Sequence, residues 1–413
     1  MSEQHVGQRI RELRKIRQMS VRQLANAVAV SVSALEKYER GDRTVSPATL
    51  ARLAQALKVG PTSLTGQPYL NGAEAEVQAQ AVIPELRRIL LTHDNPDDLT
   101  VRPRPLRVLA QEMAEVSRLR QDGAYIPMGP LLPGLLTELT HVALSTQDSA
   151  AYWWLARGYR AVNSLAHKMG YHDLSFTAIE RVHWAADRSG DPLMQVTAAY
   201  LKAGAMIRMG TFTSARRVLE GLADQVSRMA PEGCLRPQDL AVLGGVQLKL
   251  AVLEARDGNS APSRARLEEA GRIARLLGRD SDHYEMSFGP TNLRIHEVAA
   301  LIDMGNEGVR EALARLREWG EEQERDEWAP SESVPAERRS HHHIDVAAAK
   351  LAVGDRNGAH QEHLAARRIS PVHARYHPTL RATAATLVRL GRNQDDSVAA
   401  MARWAGASTA VKG

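Results

Sequence analysis

The chain has little cysteine and few aromatic residues. Cys234 is its one cysteine in 413 residues, which excludes an intrachain disulfide framework. No apolar run approaches the ~18–20 residues that a membrane-spanning helix needs. The N-terminus also lacks the apolar stretch of a signal peptide. These absences predict a protein of the cytoplasm, with no membrane partner, that lies on the nucleoid when it is bound to DNA.

The composition favours helices over strands. Aromatic residues make up 4% of the chain, whereas alanine, leucine and arginine are abundant. A hydrophobic content of 44% is enough for a large core, and the length exceeds that of one small domain. We therefore expect an all-α protein of two or three structural units.

The positive charge is concentrated at the N-terminus. Residues 1–67 contain 11 Lys and Arg against 5 Asp and Glu, whereas the rest contains 42 against 43. A small basic domain attracts phosphate, and such binding weakens steeply with salt. The near-neutral remainder is expected to do something other than hold nucleic acid.

Residues 20–43 have the layout of a helix-turn-helix. A first helix begins at Ser20, a short turn follows, and a second helix begins at Ser31 and ends at Gly41. Serine is a good N-cap because its oxygen accepts free backbone N–H groups, and glycine suits a left-handed helix end. The predicted inward positions are Leu24, Ala25, Val28, Val30, Leu35 and Tyr38.

The stretch from about His5 to about Thr65 resembles the phage-repressor-like (Xre-type, Cro/CI-type) helix-turn-helix family. The segments that carry the resemblance are HVGQRIRELRKIRQ, SVRQLA, VSVSALEKYERG and SPATLARLAQALKVGPTSL. The resemblance implies five short helices around one small core. It also implies that the second helix of the motif reads DNA in the major groove.

Two residues depart from the family pattern. Ala29 stands where the turn usually has glycine, which raises the cost of a left-handed conformation there. Val21 stands where a glutamine often contacts phosphate or a base, so Arg22 or Gln23 is expected to take over that contact.

By this resemblance, some residues face bases and others face phosphates. Lys37 has the chemistry to donate to guanine, and Val32 or Ala34 to contact a thymine methyl group. For each single residue the alternative is a solvated surface side chain. The base-facing residues implied are Val32, Ser33, Glu36 and Lys37. Those near phosphates are Ser31, Arg40 and Arg43, and Arg22 or Gln23 contacts either a phosphate or a base.

Beyond the head (1–66), we expect a linker (67–73), connecting helices (74–149) and helical repeats (150–405). A glycine that follows an apolar helical run recurs at intervals of 40, 48, 47, 49 and 37 residues. This pattern predicts stacked antiparallel helix pairs, in which glycine ends each first helix. The glycines of this series are Gly170, Gly210, Gly258, Gly305, Gly354 and Gly391.

The repeat resembles a tetratricopeptide-type α-solenoid, with an irregular all-α domain as the alternative. Head and body together resemble actinobacterial-type regulators, in which an Xre-type head precedes such a body. The segments LLPGLLTEL and AYWWLARGYRAVNSLAHKMGYHDLSFTAIERVHWAADRSGDP carry that resemblance. It implies sequence-specific DNA binding whose affinity is regulated by a ligand or partner bound to the helical-repeat body.

Polar residues on the first helices of the repeats form a candidate ligand groove. First helices line the concave face of a solenoid, which suits an extended peptide or a small anion. The alternative is a polar groove filled with water. The predicted groove residues are Tyr152, Arg157, Arg160, Asn163, Asn292, Arg294, His296 and His343.

No catalytic or metal site is predicted. His296 and Glu297 begin like a zinc-protease helix, but Ala300 occupies the position of the second histidine. The consecutive residues His341–His343 fan outward on a helix, and His360 and His363 lack a placed partner ligand. We therefore expect no cofactor and no enzymatic activity.

The leading interpretation is a DNA-binding transcriptional regulator. One head reads only a few base pairs, so specificity implies a homodimer on a two-half-site operator. The body would sense a peptide, a small molecule or a partner protein. The alternative is a non-enzymatic scaffold with a weakly specific DNA-targeting head, and an enzyme centred on the body is a remote third class.

Overall fold

The computed structural model describes residues 6–67, 81–99, 101–229, 234–322, 324–391 and 396–407. Within these ranges every regular element is a helix, which confirms the all-α prediction. One isolated antiparallel bridge joins Ser281 to Phe288. Among the described helices, none combines the length and apolar composition that crossing a bilayer requires.

Five short helices form the head. They are α1 (Val6–Ile16), α2 (Val21–Ala27), α3 (Val32–Arg40), α4 (Pro47–Ala56) and α5 (Pro61–Thr65). Five of the six predicted inward side chains are buried and Val30 is partly buried, so the helix-turn-helix pattern is confirmed. The residues that complete this core are Ile10, Leu53, Ala54, Leu57 and Leu64.

The predicted caps set the bounds of α2 and α3. The Ser20 hydroxyl accepts from the Gln23 amide at 3.1 Å, and the Gln23 side-chain oxygen accepts from the Ser20 amide at 2.7 Å. This reciprocal pair is a capping box. The Ser31 hydroxyl accepts from the Ala34 amide at 3.1 Å. Gly41 ends α3 with a φ of 75°, a conformation that favours glycine.

Helix α1 holds α3 in place by two contacts. Gly7 lies so close to α3 that a Cβ atom there would overlap the carbonyl oxygen of Tyr38. The buried Arg14 guanidinium pairs with the Glu39 carboxylate at 2.6 Å. Because both contacts depend on the spacing of α1 and α3, they fix the angle at which α3 is presented.

Four helices precede the repeats: α6 (Ile83–Leu91), α7 (Leu106–Gln121), α8 (Tyr125–Met128) and α9 (Leu132–Thr146). A 3-10 turn, Gly129–Leu131, joins the last two. Their apolar faces share one hydrophobic core with the first repeat helices. The predicted linker falls largely on residues 68–80, which lie outside the described residues.

The remaining helices pack as antiparallel pairs. Neighbours along the chain contact each other, and the first helices of successive pairs also pack side by side. The body is therefore a helical-repeat array. Its helices are α10 (Ser149–Met169), α11 (His172–Ser189), α12 (Pro192–Arg208), α13 (Phe212–Arg228), α14 (Pro237–Arg256), α15 (Ser260–Leu277), α16 (Pro290–Asp303), α17 (Asn306–Glu321), α18 (Ala336–Ala352), α19 (Arg356–Ile369), α20 (Pro371–Tyr376), α21 (Pro378–Leu390) and α22 (Asp396–Trp404).

The repeat glycines make left-handed turns, with one exception. Gly391 has a φ of −73°, so it ends its helix as predicted but does not do so in a left-handed conformation. A left-handed turn reverses the chain tightly enough for the second helix to pack on the first. The other five are Gly170 (φ 88°), Gly210 (78°), Gly258 (88°), Gly305 (92°) and Gly354 (91°).

The turn between α2 and α3 provides a test of this description. Ala29 has a φ of 54° and is exposed, as is Ala27 at the end of α2. We expect Ala29→Gly to raise the free energy of local unfolding of α2 and α3 (their opening free energy) by roughly 0.5–1 kcal/mol, because glycine tolerates the left-handed region. Ala27→Gly should lower it by up to about 1 kcal/mol, because α2 is right-handed there.

Native-state amide hydrogen exchange on the full chain measures both changes. If both substitutions changed the opening free energy in the same direction, the assigned turn conformation would be contradicted.

Candidate nucleic-acid interface and effector groove

The exposed face of α3 is available to enter a major groove. Val32, Ser33, Glu36 and Lys37 are exposed, and Val32 keeps 37% of its surface. These residues recur at helical spacing and therefore share one face, while Leu35 on the opposite face is buried. The structure thus brings the four predicted base-facing residues together.

The predicted phosphate-facing residues have different surroundings. Arg22 is exposed, whereas the side-chain oxygen of Gln23 is engaged in the capping box. Ser31 uses its hydroxyl as an acceptor for the cap of α3. Arg40 pairs with Asp42 at 2.6 Å on the surface, and exposed pairs of this kind are weak. A phosphate therefore has little to displace at Arg40.

Arg43 faces the body of the protein. Its Nη2 donates to Asn306 Oδ1 at 3.2 Å, and its guanidinium lies 5.7 Å from the centre of the Tyr38 ring. Asn306 is the first residue of α17. A contact between Arg43 and DNA phosphate would require this bond to the body to open.

The body also contacts the end of α3 directly. The Gly41 carbonyl oxygen accepts from Arg389 Nε at 3.0 Å and from Arg389 Nη2 at 2.5 Å. The Thr386 hydroxyl lies 3.4 Å from the same oxygen. A cation stabilises the C-terminal end of a helix, where the backbone carbonyls concentrate negative charge. Helix α21 therefore clamps α3 at the end opposite its exposed N-terminus.

A cavity of about 270 Å³ lies beside this clamp, between the head and the body. The head contributes Tyr38, Gly41 and Gln67 to its wall. The body contributes several basic and imidazole side chains, among them His167, Arg208, Arg256, His341 and His373.

Two of the predicted groove residues bind an internal carboxylate. Glu285 accepts from Arg157 Nη2 at 2.8 Å and lies 3.2 Å from Arg160 Nε. A third guanidinium, that of Arg120, donates to Glu285 at 2.8 Å. Burial by itself would raise the pKa of the Glu285 carboxyl, but Arg120, Arg160 and Arg157 outweigh it and lower that pKa to about 2.

The segment that carries Glu285 has an uncommon backbone. Tyr284, Glu285 and Ser287 all have left-handed φ angles, of 53°, 55° and 51°. Such a conformation costs a residue other than glycine about 1 kcal/mol or more. The three-arginine contact offsets this cost, and its position between α15 and α16 was not predicted from the sequence.

Two cations on first helices of the repeats, Lys249 on α14 and Arg208 on α12, have no matching acid among the described residues. In the described part of the chain neither Lys249 nor Arg208 has an ion pair. Lys249 Nζ lies 3.7 Å from the centre of the Tyr200 ring. Burial, together with the charges of Arg338 and Arg208, holds the pKa of Lys249 well below its ordinary value. An anion placed here would relieve this repulsion.

Two other predicted groove residues belong to the core. Tyr152 keeps only 2% of its surface and packs edge-on against Trp184, with ring centres 5.6 Å apart. Asn163 Oδ1 accepts from the Ser175 hydroxyl at 2.7 Å and so joins α10 to α11. Their spacing along α10 did not show which sides of this helix are packed against neighbouring helices and which side is exposed.

The remaining groove predictions lie on α16 and α18. Asn292 is 1% exposed and its Oδ1 has no hydrogen-bond partner. The backbone carbonyl oxygen of Asn292 lies 2.9 Å from His296 Nδ1, and burial lowers the pKa of His296 to about 3. Arg294 pairs with Glu322 at 2.7 Å, and His343 Nδ1 lies 2.5 Å from Glu362 Oε2.

Comparison with known proteins identifies the head. Residues 5–65 match the family model described as a helix-turn-helix domain. The chain is 40% identical over 82 residues to the uncharacterized HTH-type transcriptional regulator RghRB of Bacillus subtilis (strain 168), across 20% of this chain and 53% of that protein. It is 41% identical over 58 residues to the uncharacterized HTH-type transcriptional regulator y4wC of Sinorhizobium fredii (strain NBRC 101917 / NGR234), across 14% of this chain and 41% of that protein.

The chain thus spans about half the length, or less, of the curated relatives that it matches. Among solved structures, the apo form of the competence regulator ComR from Streptococcus vestibularis is 15% identical, with a TM-score of 0.21. That match covers 71% of this chain and 97% of the other. A likeness at this level does not bear on the function of this chain.

The buried contact at Glu285 predicts a loss of stability on substitution. We expect Glu285→Gln to lower the free energy of unfolding by about 3 kcal/mol or more, because it leaves three arginines without their shared carboxylate. The matched control is Glu311→Gln, which breaks the surface pair with Arg264 and should cost less than about 1 kcal/mol. Urea unfolding at neutral pH, followed by tryptophan fluorescence, compares the two variants.

The same contact predicts a pH dependence with a definite sign. The pKa of Glu285 lies at about 2 in the folded protein against an ordinary value of 4.5. Its stabilisation is therefore complete above the unfolded pKa and is lost as the pH falls toward the folded one. The stability difference between the wild type and Glu285→Gln should shrink from neutral pH to about pH 3. A constant difference would contradict the assignment.

Proposed function

We propose that this protein is a sequence-specific DNA-binding transcriptional regulator that reads DNA with α3. The observation that carries the proposal is the exposed face of α3, where Val32, Ser33, Glu36 and Lys37 lie together on a helix-turn-helix head. The basic excess of the head supports it, because phosphate attraction supplies most non-specific affinity. Both curated relatives are named as HTH-type transcriptional regulators, which agrees with this function.

The active form in this proposal is a homodimer. A single head of this kind covers one half-site, and two heads one or more helical turns apart read a palindromic operator. The body is the part that holds the two copies together, because α3 must remain exposed on each head.

The body senses an anionic effector in this proposal. Lys249 and Arg208 offer positive charge without an ion pair, within the described ranges, on the first helices α14 and α12, which suits the carboxylates of a peptide or a small anion. In this proposal, the effect of effector binding reaches the head through the contact between Arg389 and Gly41. An effector shifts DNA affinity only if it binds two arrangements of head and body with different affinity.

Selection from a random duplex library tests DNA reading. The full chain should recover one palindromic motif, and Lys37→Ala should weaken binding to it by roughly 10–100-fold, as expected for one lost base contact. The matched control is Lys15→Ala, which removes the same charge from an exposed position on α1 and should change affinity for the motif far less.

The selection is run at two salt concentrations. Recovery of no motif, with equal salt-sensitive binding by all three proteins, would contradict the regulator and favour a scaffold with a weakly specific head.

Thermal unfolding tests the anion groove. Lys249→Met should raise the melting temperature, because it removes a charge that burial and neighbouring cations disfavour. Citrate should raise the melting temperature of the wild type by at least about 3 °C relative to chloride of equal ionic strength, and should do so much less in Lys249→Met.

The matched control is Lys202→Met, whose lysine pairs with Glu180 at 2.9 Å on the surface. An equal citrate effect in all three proteins would count against the groove.

A further inference from the structure

Three histidines converge beside the cavity between head and body. His341 lies on α18, His373 lies on α20, and His377 joins α20 to α21. One ring nitrogen from each lies within 4.8 Å of the other two. The ring centres are separated by 5.7 Å (His341–His373), 4.7 Å (His341–His377) and 5.4 Å (His373–His377).

The ring nitrogens of this cluster lack ordinary partners. Both nitrogens of His373 and Nδ1 of His377 are buried without a hydrogen bond. A buried polar atom without a partner costs about 1–3 kcal/mol, so three in one place need a reason. His363 on α19 also leaves Nδ1 without a partner but bonds the Thr383 hydroxyl through Nε2 at 2.7 Å, whereas neither nitrogen of His373 is bonded.

We propose that His341, His373 and His377 bind one divalent transition metal ion of the zinc class. A tetrahedral zinc ion with Zn–N bonds of about 2.0–2.1 Å separates its ligand nitrogens by roughly 3.3 Å. Side-chain rotations that move each nitrogen by about 1 Å close the present cluster to that spacing. The fourth position remains for water or for a carboxylate.

The chemistry of the donors selects the metal. Three imidazoles suit zinc, nickel, copper or cobalt, whereas magnesium and calcium prefer oxygen ligands. The ligand form of histidine is the neutral ring.

Carboxylates lie near two of the rings. Asp345 Oδ2 is 3.6 Å from His341 Nε2, and Glu337 Oε1 is 3.9 Å from His373 Nδ1. A carboxylate that hydrogen-bonds a metal-bound imidazole orients the ring and raises its basicity, and these two lie just beyond hydrogen-bond distance. The positive charge of Lys168 is also near, but its Nζ pairs with Glu337 at 2.5 Å. The charge of Lys168 is therefore compensated by an acid.

The site lies at the base of the helix that clamps α3. A bound metal would join α18 to the start of α21, and α21 carries Arg389 at its far end. Between His373 and His377, the Tyr376 backbone carbonyl accepts at 3.5 Å from Nε2 of Gln67, which directly follows the head. Metal occupancy would thus stiffen the attachment of the head. This consequence rests on the proposed function, but metal binding itself does not.

Direct titration tests the site. Full-length protein without an affinity tag is stripped with a chelator and titrated with Zn²⁺ by calorimetry and with Co²⁺ by visible absorption. We expect one ion per chain, and X-ray absorption of the zinc-loaded wild type should show three imidazole ligands. His373→Gln and the double variant His341→Gln/His377→Gln should each weaken Zn²⁺ binding by at least about 100-fold, because they remove ligands themselves.

The matched control is His360→Gln/His363→Gln, which removes two buried histidines outside the cluster and should keep the wild-type affinity. Absence of Zn²⁺ binding, fewer than three imidazole ligands, or equal affinity in all variants would overturn the proposal. If the variants fail to fold, the number of imidazole ligands that X-ray absorption finds in the zinc-loaded wild type is sufficient to test the proposal. Metal binding without selective DNA binding would count against the proposed function only.

Discussion

The Gly41 carbonyl and the Arg389 guanidinium form the contact on which the relation between head and body depends. Gly41 ends α3 in a left-handed conformation, and a Cβ atom at this position would collide with the Arg389 side chain. The pairing joins the negative end of α3 to a cation that is more than half-buried. Burial lowers the pKa of Arg389, which means that keeping its guanidinium charged in this position costs free energy. Because the clamp contacts the C-terminal end of α3, it leaves Val32 and Lys37 exposed.

Within the body, buried charge is arranged in two ways. Arginines that face Glu285, Asp303 or Glu254 have their charges matched at short distance. Lys249 and Arg208 have no such match, and the histidine cluster adds neutral donors nearby. A low-dielectric interior strengthens both attraction and repulsion. The first arrangement therefore holds the repeats together. The second leaves Lys249 and Arg208 suited to an anion, and it leaves the histidine cluster suited to a metal ion.

The sequence predicted contacts between residues that are close along the chain, but it did not predict contacts between residues that are far apart along the chain. The caps at Ser20 and Ser31, the end at Gly41 and the buried face of α2 and α3 depend on residues a few positions apart, and these predictions are confirmed. Arg157 and Arg160 were singled out by their position on a first helix, but their partner Glu285 lies more than 120 residues away. Arg389 and Gly41 are 348 residues apart. His341 was judged beside His342 and His343, whereas its actual neighbours are His373 and His377. Contacts of this kind follow from how the repeats stack, which local patterns do not encode.

Pulsed electron paramagnetic resonance would test the clamp most directly. Nitroxide labels on Arg22→Cys in the head and Gln361→Cys on α19, with Cys234→Ser removing the native thiol, report the distance between head and body; all three positions are exposed. The account predicts one narrow distance distribution in this background and a broad or displaced one after Arg389→Ala. It predicts no change after Arg217→Ala, which removes an exposed arginine from α13. An unchanged narrow distribution in Arg389→Ala would show that the head is positioned by other contacts, and the route from body to α3 would have to be sought elsewhere.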